Sequence, residues 1–189
     1  MLPAPMFLRG GSSMSNAVLV IDMQRGFLEE GYALYCGPQA REVIQKVRAL
    51  VERELASGSA LFFTADTHDP DDKEFQMFPA HCVRGTKEVE IIPELADLAE
   101  KGTLIPKRRY SAFFETELEG RLVALRPGKL IFCGVCTDIC VMHSVADARN
   151  RDFLVEVYAD CVASFDQEAH TFALKHMEKI LGAKLKTLS

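Results

Sequence analysis

The chain has 189 residues, 48% of them hydrophobic and 26% charged, enough for one domain with a full apolar core. A formal net charge of -5 offers no basic footprint for nucleic acid or an anionic membrane. No apolar run approaches the roughly 18 residues of a membrane span.

In chain order, residues 1–16 are rich in Pro, Gly and Ser and lack the basic start and the roughly 7–15-residue apolar core of a signal peptide. They are expected to form a disordered N-terminal extension, with residues 17–189 as a single domain. Ala17 to Asp22 (AVLVID) is short, β-branched and almost wholly apolar, the pattern of a buried parallel strand. Pro38 to Ser57 carries Val43, Val47, Leu50, Val51 and Leu55 on one helical stripe, with Pro38 in its first turn and Gly58 just past its end. Strands follow at Ala60–Asp66, Thr103–Ile105 and Lys129–Gly134, then a helix at Asp138–Asn150, a strand at Phe153–Tyr158 and a closing helix at Gln167–Leu181. Alternating strands and helices predict an α/β fold, a parallel sheet with helices on both faces. The long stretch from His68 to Gly102 breaks the alternation and is expected to build part of a site.

Cys133 sits inside an apolar run, and Cys36, Cys82 and Cys161 are scattered. Free thiols in a reducing compartment are therefore expected, and a cytoplasmic location with them.

Ligands of such sheets bind beyond the carboxyl ends of the strands. Asp22, Asp66, Lys107 and the turn Gly134 to Asp138 all fall there. Any one charged residue at a strand end is more often simply solvated; their convergence on one edge favours a site. In Gly134-Val135-Cys136-Thr137-Asp138-Ile139-Cys140, a buried strand runs into a helix whose first turn holds Cys140. Unpaired N–H groups and the helix dipole are expected to lower the thiol pKa there and to stabilise an oxyanion. Two other readings stay open. A lone helical cysteine is most often a packed core residue, and Cys133, Cys136 and Cys140 suggest a zinc cluster, although no second Cys/His pair follows.

The segments VIDMQRGF (Val20 to Phe27), DTH (Asp66 to His68), FPAHCVRGT (Phe78 to Thr86), KRRYSAF (Lys107 to Phe113) and GVCTDICV (Gly134 to Val141) occur in this order. Together they make the chain, from about Val18 to Leu181, resemble the isochorismatase-like cysteine hydrolases and, within them, the nicotinamidases. The resemblance implies a three-layer α/β/α fold around a central, mainly parallel sheet. It implies a catalytic triad of Asp22 as base, Lys107 as charge-balancing cation and Cys140 as nucleophile, residue types suited to those roles. It also implies a cis peptide at Val135–Cys136 that aims the Cys136 and Cys140 N–H groups at the oxyanion, and Phe27 and Phe78 flanking an aromatic ring. Many nicotinamidases carry Trp where Phe78 stands; this chain has none.

Asp66, His68, His81 and Glu74 form a donor set suited to one divalent transition metal, Zn before Mn or Fe. In the nicotinamidases this metal holds the pyridine nitrogen of the substrate. Most of that family has a third His where Glu74 aligns, and Asp69, Asp71 and Asp72 compete for the position; spacing from His81 favours Glu74. His143, His170 and His176 read as packing or surface residues, and of Lys107-Arg108-Arg109 only Lys107 matches a functional position.

The implied activity is hydrolysis of nicotinamide to nicotinate and ammonia through a Cys thioester, in NAD salvage, by a protein expected to be a homo-oligomer with a small-molecule substrate. The alternatives are another small-amide hydrolase, such as a carbamoyl or ureido amidase, and a non-catalytic ligand-binding relative.

Overall fold

The computed structural model describes residues 15–188. Residues 1–14 of the expected N-terminal extension lie outside them. Ser15 and Asn16 are tied to the sheet, their carbonyls accepting from the Gly128 N–H (3.0 Å) and the Ala60 N–H (2.9 Å).

The elements run β1 (Ala17–Ile21), α1 (Arg25–Leu28), α2 (Pro38–Glu42), α3 (Ile44–Ala56), β2 (Ala60–Asp66), α4 (Pro93–Ala99), β3 (Thr103–Lys107), α5 (Leu118–Leu125), β4 (Leu130–Val135), α6 (Met142–Asn150), β5 (Val155–Ala163), α7 (Gln167–Lys179) and β6 (Lys184–Lys186). Short 3₁₀ turns cover Lys73–Gln76 and Lys87–Val89, and a π-helical turn covers Thr137–Val141. The six strands form one sheet in the order β3-β2-β1-β4-β5-β6, and every pairing is parallel. The expected α/β architecture is thus present, with the sheet wholly parallel.

Strand alternation divides the core between two faces. Val18, Val20, Leu61 and Phe63 pack with Val47, Leu50 and Val51 of α3 and Leu95 and Leu98 of α4. Leu19, Ile21, Phe62 and Phe132 face the opposite way, onto Leu118 and Leu122 of α5, Val145 and Ala148 of α6 and Met177 of α7. The chain winds outward from β1 to β3 with helices on one face, then restarts at β4 with helices on the other. The strand order therefore reverses between β1 and β4, the place where doubly wound sheets open a crevice at their carboxyl ends. Gly134 is required at this seam: it pairs with Ile21, has φ +114, and a Cβ there would stand 2.1 Å from the Ile21 carbonyl oxygen.

Several boundaries differ from those expected. The Pro38–Ser57 helix is broken at Val43 into α2 and α3. β5 runs on to Ala163, with an irregular register between Phe132 and Gly134 of its neighbour. The stretch from His68 to Gly102 contains α4, started by Pro93 at its first turn. No described helix is long and apolar enough to cross a membrane.

Candidate active site and metal centre

Asp22 leaves β1 with φ 48, a left-handed conformation that Asp tolerates when its short polar side chain bonds locally. The hydroxyl of Thr64, on the neighbouring strand β2, provides that bond. It donates to Asp22 Oδ1 (2.6 Å) and accepts from the Asp22 N–H (3.0 Å). The other carboxylate oxygen, Oδ2, lies 2.8 Å from Lys107 Nζ and makes no further hydrogen bond among the described residues. Lys107, the last residue of β3, also reaches Asp66 Oδ1 (3.1 Å) and Cys140 Sγ (3.5 Å). The structure thus brings Asp22, Lys107 and Cys140 together from three strand ends, all buried.

Burial alone would discharge Lys107, but Asp22, Asp66 and Cys140 more than offset it and hold the ammonium well above its ordinary pKa. Burial raises Asp22; Lys107 opposes the rise and Asp66 adds to it. Cys140 corrects the expectation of a lowered thiol pKa. Burial pushes it well up, Lys107 pulls it down, and the Asp22 and Asp66 carboxylates push it up again. The helix terminus argument omitted both the depth of the site and its two carboxylates. Burial and the two carboxylates favour the thiol form of Cys140, and only Lys107 favours the thiolate.

The chain leaves β4 through a cis peptide at Val135–Cys136, where the resemblance placed one. The Cys136 carbonyl then accepts from the Ile139 N–H (3.2 Å) and the Val141 N–H (3.1 Å), so that it is committed to the π turn. Thr137 Oγ1 lies 2.8 Å from His170 Nδ1, and Ser164 Oγ hydrogen-bonds Asp138; these contacts brace the turn from α7 and from the residue that follows β5. Cys133, in contrast, faces the opposite core from Cys140, and among the described residues the one donor set suited to a metal contains no cysteine.

That set is Asp66, His68, Glu74 and His81, whose donor atoms all lie within 4.8 Å of one another. Asp66 Oδ2 stands 3.0 Å from His68 Nε2 and 3.4 Å from His81 Nε2; Glu74 Oε1 stands 3.9 and 4.0 Å from the same two nitrogens. Donors about 2.1 Å from a shared tetrahedral ion would be ~3.4 Å apart. Each imidazole also has its far nitrogen engaged by an acceptor, His68 Nδ1 by Asp72 Oδ2 (3.1 Å) and His81 Nδ1 by the Pro79 carbonyl (2.8 Å). That fixes the tautomer presenting Nε2 as a lone pair, the usual arrangement around a bound metal. The residues fit a divalent ion.

Three supporting residues were not legible from spacing. Asp72 competes for nothing; it orients His68 and is itself held by Arg109 Nη1 (2.9 Å). Arg109, which the sequence pattern left as a bystander, also approaches Glu74 Oε2 (3.6 Å). Gln24 clamps the Asp66 backbone, donating to its carbonyl (3.0 Å) and accepting from its N–H (2.7 Å). An arginine or glutamine two residues from a motif residue carries no periodicity of its own; only the fold brings it inward.

Removal of metal should follow the protonation of this cluster. Burial lowers the His68 pKa, but the hydrogen bond with Asp66, its charge, and Asp72 outweigh that and raise it above the ordinary 6.5. Protons therefore compete for Nε2 from above that value, and metal occupancy is expected to fall as pH drops through neutrality. Metal analysis after dialysis across this range should find one equivalent at high pH. Glu74→Gln should lose occupancy about 10–100-fold more readily and Asp71→Asn should not; equal loss in both would remove Glu74 from the set.

A cleft reaches both groups, with Cys140 and three of the four metal donors on its wall. Val135, Cys136 and Cys140 line it together with Asp66, Glu74 and His81, and Phe27 and Phe78 are also on its wall. Leu34, Tyr110, Ile139 and Phe165 complete the wall.

The model of the isochorismatase domain matches residues 16–187. A Bacillus subtilis protein described as an uncharacterised isochorismatase family protein, PncA, is 35% identical over 91% of this chain and 99% of its own. Its crystal structure, described as that of a nicotinamidase, superposes with a TM-score of 0.86 over the same shares. An Arabidopsis thaliana protein described as a probable inactive nicotinamidase is 32% identical over 92% of this chain and 93% of its own. A pyrazinamidase of Pyrococcus horikoshii, solved in complex with zinc, has a TM-score of 0.85 at 29% identity, covering 92% of this chain and 99% of that one. A match that spans the whole sheet and every strand end described above leaves one conclusion: the chain belongs to the isochorismatase domain family.

Proposed function

We propose that the chain is a nicotinamidase, hydrolysing nicotinamide to nicotinate and ammonia. The observation that carries this reading is one cleft whose wall holds both the Cys140 thiol, backed by the buried Lys107 ammonium and Asp22 carboxyl, and Asp66, Glu74 and His81 of the His/carboxylate donor set. Cys140 Sγ attacks the carboxamide carbon while its proton passes to Asp22 Oδ2. The oxyanion rests on the Cys136 and Cys140 N–H groups. The tetrahedral intermediate collapses, Asp22 returns the proton to the leaving ammonia, and a thioester remains. Asp22 then takes a proton from water as the water attacks the thioester, and gives it back to the Cys140 sulfur as nicotinate leaves. Lys107 stays an ammonium throughout and balances whichever group carries the negative charge.

Asp66, His68, Glu74 and His81 would hold the metal, which when bound supplies a Lewis acid for the pyridine nitrogen. Phe27 and Phe78 sandwich the ring. Phe78 is the half-buried one, so Phe78→Ala should raise KM about 3–10-fold with kcat little changed, the worth of one aromatic contact; a fall in kcat alone would place Phe78 outside the ring site. Ammonia release from nicotinamide, measured before and after chelation and after zinc return, tests the whole reading. Turnover that is lost on chelation and restored by metal supports it. Turnover of ureido or carbamoyl amides in its place, or none with the metal site loaded, overturns it.

A further inference from the structure

Cys36 and Cys136 are 100 residues apart in the chain, yet their Sγ atoms lie 3.3 Å apart in a buried thiol–thiol contact. Among the described residues no other pair of thiols is in such contact, and all the cysteines are free. Of the two, only Cys136 reaches the cleft wall; Cys36 lies behind it. Cys136 lines it and opens the π turn. Cys36 precedes α2 and is fastened to the aromatic wall, its N–H donating to the Phe27 carbonyl (2.9 Å) and its Sγ lying 3.7 Å from the Leu34 carbonyl; Phe27 and Leu34 both line the cleft.

We propose that Cys36 and Cys136 are a redox-sensitive dithiol, which hydrogen peroxide converts to a disulfide that ties the Phe27–Leu34 wall to the π turn and weakens substrate binding. The identity of that substrate rests on the nicotinamidase reading; the dithiol itself does not.

The chemistry balances with one peroxide. The Cys136 sulfur, on the cleft wall, attacks one peroxide oxygen; the O–O bond breaks, and the thiol proton leaves with the departing oxygen as water. The resulting sulfenic acid is attacked by the Cys36 sulfur, the S–O bond breaks, and the Cys36 proton leaves with hydroxide as a second water. Two thiols are oxidised and one peroxide reduced. Closing the bond draws the sulfurs to about 2.05 Å, so the turn or the aromatic wall must shift by roughly 1 Å, a displacement to which positioned sites are sensitive. The contact with Cys36 and burial push the Cys136 thiol well up. Thiolate is therefore scarce, and the reaction should be slow at neutral pH and faster as pH rises.

Cys140 is a competing target, so the test uses the full-length, zinc-loaded Cys140→Ser protein treated with hydrogen peroxide. Alkylation and peptide mapping should show loss of the Cys36 and Cys136 thiols and a cross-link between their peptides. Dithiothreitol should reverse it, and Cys36→Ser should abolish it. Calorimetry should show nicotinamide affinity falling about tenfold in the cross-linked form, the worth of a displaced aromatic wall, and returning on reduction. No cross-link, Cys136 joined to a different cysteine, or a cross-link that leaves affinity unchanged would overturn the proposal. A reduced protein that forms the cross-link but never bound nicotinamide would instead sink the nicotinamidase reading and leave the dithiol standing.

Discussion

Cys140→Ala is expected to lower nicotinamide turnover by about 10⁴-fold or more, because the other thiol on the cleft wall, Cys136, contacts Cys36 and Lys107 reaches Cys140 instead. The substitution should leave the fold intact. Cys140 is buried among Ile21, Val141 and Val145, and replacing sulfur by hydrogen costs about 1 kcal/mol of packing. Metal occupancy should be unchanged, since Cys140 is outside the donor set. Burial pushes the Cys140 thiol up, so its proton is expected to pass during attack to the Asp22 oxygen held by Lys107. Rapid mixing with substrate followed by acid quench and mass spectrometry should find the acyl group on the Cys140 peptide. Acylation of Cys136, or activity retained by Cys140→Ala, would refute the assignment.

How much of this was legible beforehand depends on where the information resides. The strands β1, β2 and β4 are buried on both faces and read directly as apolar runs. The site residues at their ends were legible because in a parallel sheet the carboxyl ends share one edge whatever the exact strand order. β6 escaped, since its single Leu185 between two lysines has no period to detect. α5 ends on Arg126 in a left-handed conformation without the glycine that normally marks such a stop. The donor set was placed by spacing and resemblance, and the structure brings all of it together. The reverse holds for the charges. Whether the Cys140 thiol is raised or lowered depends on burial and on Asp66, a residue that serves both the metal cluster and Lys107, and no local motif encodes that sum. The Cys36–Cys136 contact is equally invisible in sequence, because it joins a loop after α1 to a turn after β4.

Lys107→Ala should be far more damaging than either neighbouring substitution, in both activity and stability. All three cations of Lys107-Arg108-Arg109 would contribute alike to a long-range field, but their surroundings differ. Arg108 pairs with Glu115 on the surface, both side chains near half exposed, and such pairs are worth about 0–1 kcal/mol; Arg108→Ala should leave kcat/KM within about twofold of the parent. Arg109 braces Asp72 and Glu74, so Arg109→Ala should act through metal affinity and be rescued by excess metal. Lys107 is fully enclosed between Asp22 and Asp66. Removing it leaves two buried carboxylates without their cation, a loss of about 3–5 kcal/mol. The sign of the pH effect follows from the same contacts. Lys107 is the strongest influence lowering the pKa of Asp22 and of Cys140, so without it both rise. Asp22 must be ionised to accept the thiol proton; the acid limb of kcat/KM should therefore move to higher pH in Lys107→Ala, and any residual activity should survive only on the alkaline side. Metal added in excess should not restore it. Comparable losses in kcat/KM for the three variants, with unshifted profiles, would mean that the run merely attracts substrate and that the ammonium beside Cys140 takes no part in the chemistry.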